Sequence, residues 1–155
     1  MSVVTTSARI AAMAALIPGI TTAFPSIPRV VQDAELPAVV IFPGEATYDV
    51  DTFGDNDVVE TRLYRILFLI QKAAYGTEDQ AQVAIEPFFN TIRDYFLARP
   101  GLELTGAMLP QTVVYNATML GDSGYQIIGY PQGSDYAAIE YRLQVVEFAE
   151  VNYAD

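Results

Sequence analysis

Apolar and polar residues alternate without a break near the end of the chain. Ile139, Tyr141, Leu143 and Val145 take one parity, and Glu140, Arg142 and Gln144 take the other. A period of two is the signature of a strand with one buried and one wet face, and it predicts a long strand over Ile139 to Phe148. Glu60 to Ile70 predicts a second long strand of different character. Tyr64, Ile66, Phe68 and Ile70 point one way and Leu63, Leu67 and Leu69 the other, so both faces are apolar from Leu63 onward and both want cover. A helix of the same chain covers one face, and the other calls for a second layer or a neighbouring subunit. Assembly, rather than catalysis, is therefore the first functional expectation.

The remaining pattern supplies the other elements. Val3 to Ile17 is Ala-rich and helical in spacing, and Pro18-Gly19 stops it as a helix terminator does. Arg9 followed by the apolar Ile10 to Ile17 has the outline of a secretory signal, but so short a run fits a packed N-terminal helix better. Ile20 to Phe24 reads as a short strand. Leu36 to Phe42 reads as a buried strand with Pro37 at its start, since proline donates nothing to a ladder. Pro43 to Asp57 reads as a loop. Thr77 to Gln80 has the form of a capping box opening a helix. In that helix Ile85, Phe88, Phe89, Ile92, Tyr95 and Phe96 form an apolar stripe, with a kink or fresh start expected at Pro87. Leu63, Tyr64, Ile66, Leu67 and Phe68 are all expected to be buried, with one face of the strand covered by the stripe of Phe88, Phe89, Ile92 and Phe96. Strands follow over Thr112 to Leu120, Tyr125 to Tyr130 and from Tyr136 onward, with Gly-rich turns between them. This order predicts one α+β domain over residues 1–155. Its mixed or antiparallel sheet carries an N-terminal helix and one central helix.

Composition narrows the chemistry. The 155 residues include no Cys and no His. Thiolate nucleophiles, imidazole bases, disulfides and the common zinc and iron sites are thus excluded together, and a non-enzymatic role is expected. The net charge is −11 with 8 Lys plus Arg, too few to build a phosphate-neutralising patch, so tight DNA binding is not expected. No apolar stretch approaches the ~20 residues that cross a bilayer.

One segment has the residues for cation binding, the acidic run from Asp49 to Glu60. Asp49, Asp51, Asp55, Asp57 and Glu60 match ligand positions of an EF-hand loop and Gly54 its sharp turn. Phe53 stands where an oxygen ligand belongs, and the flanks are not helical. The simpler reading is a solvated, self-repelling loop that stays mobile until something binds it. Weak Mg²⁺ or Ca²⁺ capture at a subunit boundary is the alternative, and no other cofactor is expected. Glu147 and Glu150 read as a carboxylate pair on an exposed strand face. Gly121, Gly124, Gly129 and Gly133 lack the lysine and following helix of a phosphate loop. Tyr125, Tyr130 and Tyr136 flank two Gly-rich turns and, with Asp49, Asp51, Asp55 and Asp57, are the candidate interface residues. Cross-strand packing is the competing role for each tyrosine.

A family resemblance rests on a few segments. The Ala-rich N-terminal helix ends in Pro18-Gly19-Ile20-Thr21. Leu36-Pro37-Ala38-Val39-Val40-Ile41 follows, then an Arg-containing long strand and one helix, and finally the strand Glu140 to Phe148 closing a β-rich half. Together these resemble the tail terminator, or tail-completion, proteins of long-tailed phages. The resemblance implies a virion protein of the tail and neck, assembled in the host cytoplasm. It would cap the finished tail tube as a hexameric ring and present a surface to the head–tail connector. It implies partners in the tail tube protein and the connector, and DNA that passes through without tight binding; it supplies no catalytic residues. Another neck protein, an adaptor or stopper, is the nearest alternative, and an unrelated small-ligand-binding domain the alternative of a different class.

Overall fold

A computed structural model describes residues 3–50, 57–73, 78–102, 115–129 and 134–150. The chain forms α1 (Val3–Ala14), β1 (Thr22–Phe24), a 3-10 turn (Asp33–Glu35), β2 (Ala38–Val50), β3 (Asp57–Lys72), α2 (Glu78–Leu97), β4 (Tyr115–Asp122), β5 (Gln126–Gly129) and β6 (Asp135–Glu150). The strands make one six-stranded sheet in the order β1-β2-β3-β6-β4, with β5 also paired to β6. β1 runs parallel to β2 and every other pairing is antiparallel. The arrangement is α+β with a mixed sheet, one N-terminal helix and one central helix, as the pattern predicts.

β3 is the spine. One of its faces, carrying Tyr64, Ile66, Phe68 and Ile70, is buried beneath both helices, with Ile10, Met13 and Ile17 at and beyond the end of α1 and Ile85, Ile92 and Phe96 from α2. Phe68 and Tyr141 meet edge to face at 5.6 Å between ring centroids, an arrangement favoured by the ring quadrupoles. The opposite face is covered as well. Leu67 and Leu69 pack with Val40, Ala138 and Tyr136 under Val31, Phe24 and Leu36. The cover expected from a second layer or a neighbour thus comes from residues 24–36 of the same chain. Leu63 departs from the expected burial: it is half-buried and opens onto a depression lined also by Glu45, Thr47, Thr61 and Gln144.

Three boundaries differ from the sequence reading. α1 ends at Ala14 and unwinds through the tighter turns Leu16 N–H to Met13 O (3.0 Å) and Ile17 N–H to Ala14 O (3.1 Å). Gly19 then takes φ +92°, and a Cβ there would lie 3.1 Å from the Phe88 ring, so glycine answers both the turn and the close approach. α2 runs through Pro87 as one helix rather than restarting there. Pro87 and Val83, whose carbonyl loses its helical donor, are both exposed, where water can serve that carbonyl. Thr77 and its capping box lie outside the described residues. The largest correction concerns Pro43 to Asp57. Residues 43–50 continue β2 and pair with β3 as far as Val50↔Val58, across a bulge between Pro43 and Ala46. A Cβ at Gly44 in that bulge would come within 2.7 Å of the Leu63 carbonyl oxygen.

Candidate functional site

The described residues of the acidic run, 49–50 and 57–60, lie in the paired strands β2 and β3. Asp49 is exposed on β2 opposite Val59, and Asp57 opens β3 opposite Glu150. Asp51 and Asp55 lie outside the described residues. Glu60, the last residue of the supposed cation loop, lies within β3, and its Oε1 accepts a hydrogen bond from Arg62 Nε at 2.6 Å. A carboxylate so held is no longer a free ligand, and strand pairing at Asp49 replaces the mobile loop there. No group of three or more acidic residues that could hold a metal ion occurs among the described residues.

The tyrosines separate. Tyr136 is a core side chain, 3% exposed, whose hydroxyl donates to the Val31 carbonyl at 3.3 Å. It ties residues 24–36 to the sheet and is not available as a surface group in the folded chain. Tyr125 is half-buried against the helix-covered core. Tyr130 lies outside the described residues.

A buried polar cluster sits under the start of α1. β3 and β6 place Glu60 directly opposite Glu147, and like charges so placed repel. Two devices relieve this. Arg62 takes the Glu60 carboxylate and also donates from Nη1 to Gly44 O (2.8 Å) and from Nη2 to the Tyr48 hydroxyl (3.0 Å). Glu147 is 4% exposed rather than on an open face, and burial pushes its carboxyl pKa up toward the neutral form. Thr6 of α1 donates from Oγ1 to Glu147 Oε2 at 3.0 Å, while Oε1 has no partner among the described residues. Burial also pushes the Tyr64 hydroxyl up to about 12, against the opposing pull of Thr6 and Arg62. Tyr141, likewise raised by burial, donates to the Phe89 carbonyl at 2.9 Å. Thr6 and Glu147 are buried where α1 meets the sheet, whereas the Arg62–Tyr48 hydrogen bond lies at the surface and Tyr141 is tied to α2. The Thr6–Glu147 hydrogen bond seats the start of α1 on the sheet.

The surface features lie at the borders of the sheet. β1 pairs with β2 at Ala38–Val40, and beyond this no described residue pairs with that side of β2. Beside the bare border an apolar cavity of about 360 Å³ lies between Ala8, Pro25, Ile27, Ile41, Phe42 and Pro43, with Ile27 62% exposed. At the other border, β4 pairs with β6 and with nothing else described, and Leu120 is 51% exposed. On the open sheet face Arg65 grips Glu140 with two hydrogen bonds of 2.8 Å and stacks over Phe42 at 5.6 Å. Arg142 stands directly opposite Arg65 on β6. Its Nη2 lies 3.3 Å from where a Cβ on Gly121 would be, so the guanidinium reaches over β4 through the space glycine leaves. Arg142 is exposed and forms no salt bridge among the described residues. Among those residues, too, no helix is long and apolar enough to cross a membrane. Comparison of the chain with protein-family models gives no match, and comparison with curated proteins gives none either.

Proposed function

We propose that this chain is a structural subunit that closes into a ring, and that the ring caps the tail tube of a long-tailed phage and meets the head connector. The observation that carries the assembly reading is the sheet with two bare borders: β2 beyond Val40 and β4 present unpaired strands among the described residues. Such borders are templates for pairing with another chain. Two different borders that pair with each other give a head-to-tail contact, which closes into a ring when the rotation per subunit completes a full turn and extends into a filament when it does not. The phage assignment is supported by the resemblance of the sequence segments. Those segments lie on an N-terminal helix, a long Arg-bearing strand, one helix and a β-rich C-terminal half.

The test is addition of the purified chain to preassembled tail tubes, followed by electron microscopy and a tube-elongation assay. A cap at one tube end and arrested growth are expected, with a discrete hexamer by light scattering. Binding to the isolated connector and not to tubes would transfer the chain to the neck. A chain that stays monomeric and binds neither partner would end the proposal. At a net charge of −11, the ring should let a duplex pass without holding it. DNA affinity should be unmeasurable at physiological salt, and micromolar binding with a steep salt dependence would contradict the reading.

A further inference from the structure

We infer that the subunits join through a continuous sheet in which β4 of one copy lies against the bare border of β2 in the next, and that Arg142 fixes this seam by reaching Glu45 of the neighbouring copy. The inference rests on the ring reading above and adds its contact. Three antiparallel steps, β2 to β3, β3 to β6 and β6 to β4, leave β4 antiparallel to β2. A neighbour displaced along the sheet therefore presents β4 antiparallel to β2 with the same faces aligned. The bare part of β2 and the 8-residue β4 are of comparable length.

Charge selects this pairing. The open face of β2 ends in exposed Glu45 and Asp49. The β4 border carries Arg142, which lies on the same face as Gln144 and over Gly121 without an acidic partner among the described residues. Asp122, at the end of β4, is turned to the Gly124 amide at 2.7 Å. One border is therefore acidic on this face and the other basic, in a chain that is acidic as a whole. The pairing brings the two opposite charges together in a chain whose net charge otherwise opposes association. Pairing of β2 with β2, or β4 with β4, would set like charges against each other.

Three variants test the seam: R142E, E45R and the double E45R/R142E, each checked for folding by circular dichroism and sized by light scattering across a concentration series at physiological salt. Each single variant should need at least about tenfold more protein to associate than wild type, and the double should recover most of the loss. E45R is the sharp arm, because it lowers the acidity of the chain. A general charge effect would make E45R associate better, and the seam requires worse. Because the chain has no cysteine, Thr47→Cys combined with Asn116→Cys gives a second readout that leaves both charges intact. Oxidation should yield a ladder of linked subunits ending at the ring mass. Singles that associate like wild type, a double no better than the singles, or no ladder from an oligomeric cysteine variant would overturn the seam while leaving the ring standing. A wild-type chain that is monomeric throughout would overturn the ring, and the seam with it.

Discussion

Along β3 a single strand passes through two environments. From Ile66 to Ile70 it is sandwiched, with helices above and residues 24–36 below. From Glu60 to Leu63 one face carries charged groups beside the Glu147 seat of α1, and the other face opens to solvent at Leu63. The first half gains from apolar burial, which involves no titrating group and is not screened by moderate salt. The second is held by groups whose charge state matters, so the two halves should respond to different perturbations.

The largest effect should come from the sandwiched half. Phe68 is fully buried, and Phe68→Ala should cost about 3–5 kcal/mol in a denaturant titration. A loss under about 1 kcal/mol would show that the face is not the core described here. The second effect tests the charged half. Burial raises the Glu147 carboxyl pKa in the folded state. The folded protein therefore holds that proton more tightly than the unfolded chain, and this group lowers stability as pH rises from the unfolded toward the folded pKa. Glu147→Gln removes the titration. Its stability relative to wild type should climb with pH through that window, and a difference flat in pH would mean that Glu147 is not desolvated. The smallest effect belongs to the open face. Arg65 is 53% exposed, and Arg65→Ala should cost less than about 1 kcal/mol, diminishing as salt is added. A larger, salt-insensitive loss would place the Arg65–Glu140 pair within a covered interior.

The contrast also explains what could be read from the sequence. The sandwiched half was legible because its signal is periodic: the parity of Tyr64 to Ile70 and the stripe from Ile85 to Phe96 map directly onto packed faces. Burial of Glu147 was equally available, since it shares the parity of Ile139, Tyr141, Leu143 and Val145. Its residue type argued for solvent and concealed its position. The extension of β2 was hidden for a different reason. Pro43, Gly44 and the acidic residues beyond read as turn formers, yet proline is accepted at a bulge or border and Pro43 sits at both. The strand is held by pairing with β3, a long-range effect that no local pattern carries. The covering role of residues 24–36 left no periodic trace, because Phe24, Val31 and Leu36 pack as separate anchors from an irregular segment. The bare borders of the sheet follow from strand order, which periodicity does not specify.

The place of β6 in the sheet also has a consequence for how the molecule is made. β3, at residues 57–72, finds its central partner in residues 135–150, and Thr6 of α1 meets Glu147 across 141 positions of chain. During synthesis the first helix and the middle strand therefore emerge long before the strand that receives them. Until translation passes residues 135–150, the flank of β3 that pairs with β6 stays open, and α1 lacks its polar seat. Contacts so remote in sequence close slowly, and a nascent chain in that interval exposes surface on which chaperones act and aggregation begins. A ribosome stalled before residue 135 would hold both helices and the β2–β3 pair around a core that still lacks Ala137, Ile139, Tyr141, Leu143 and Val145.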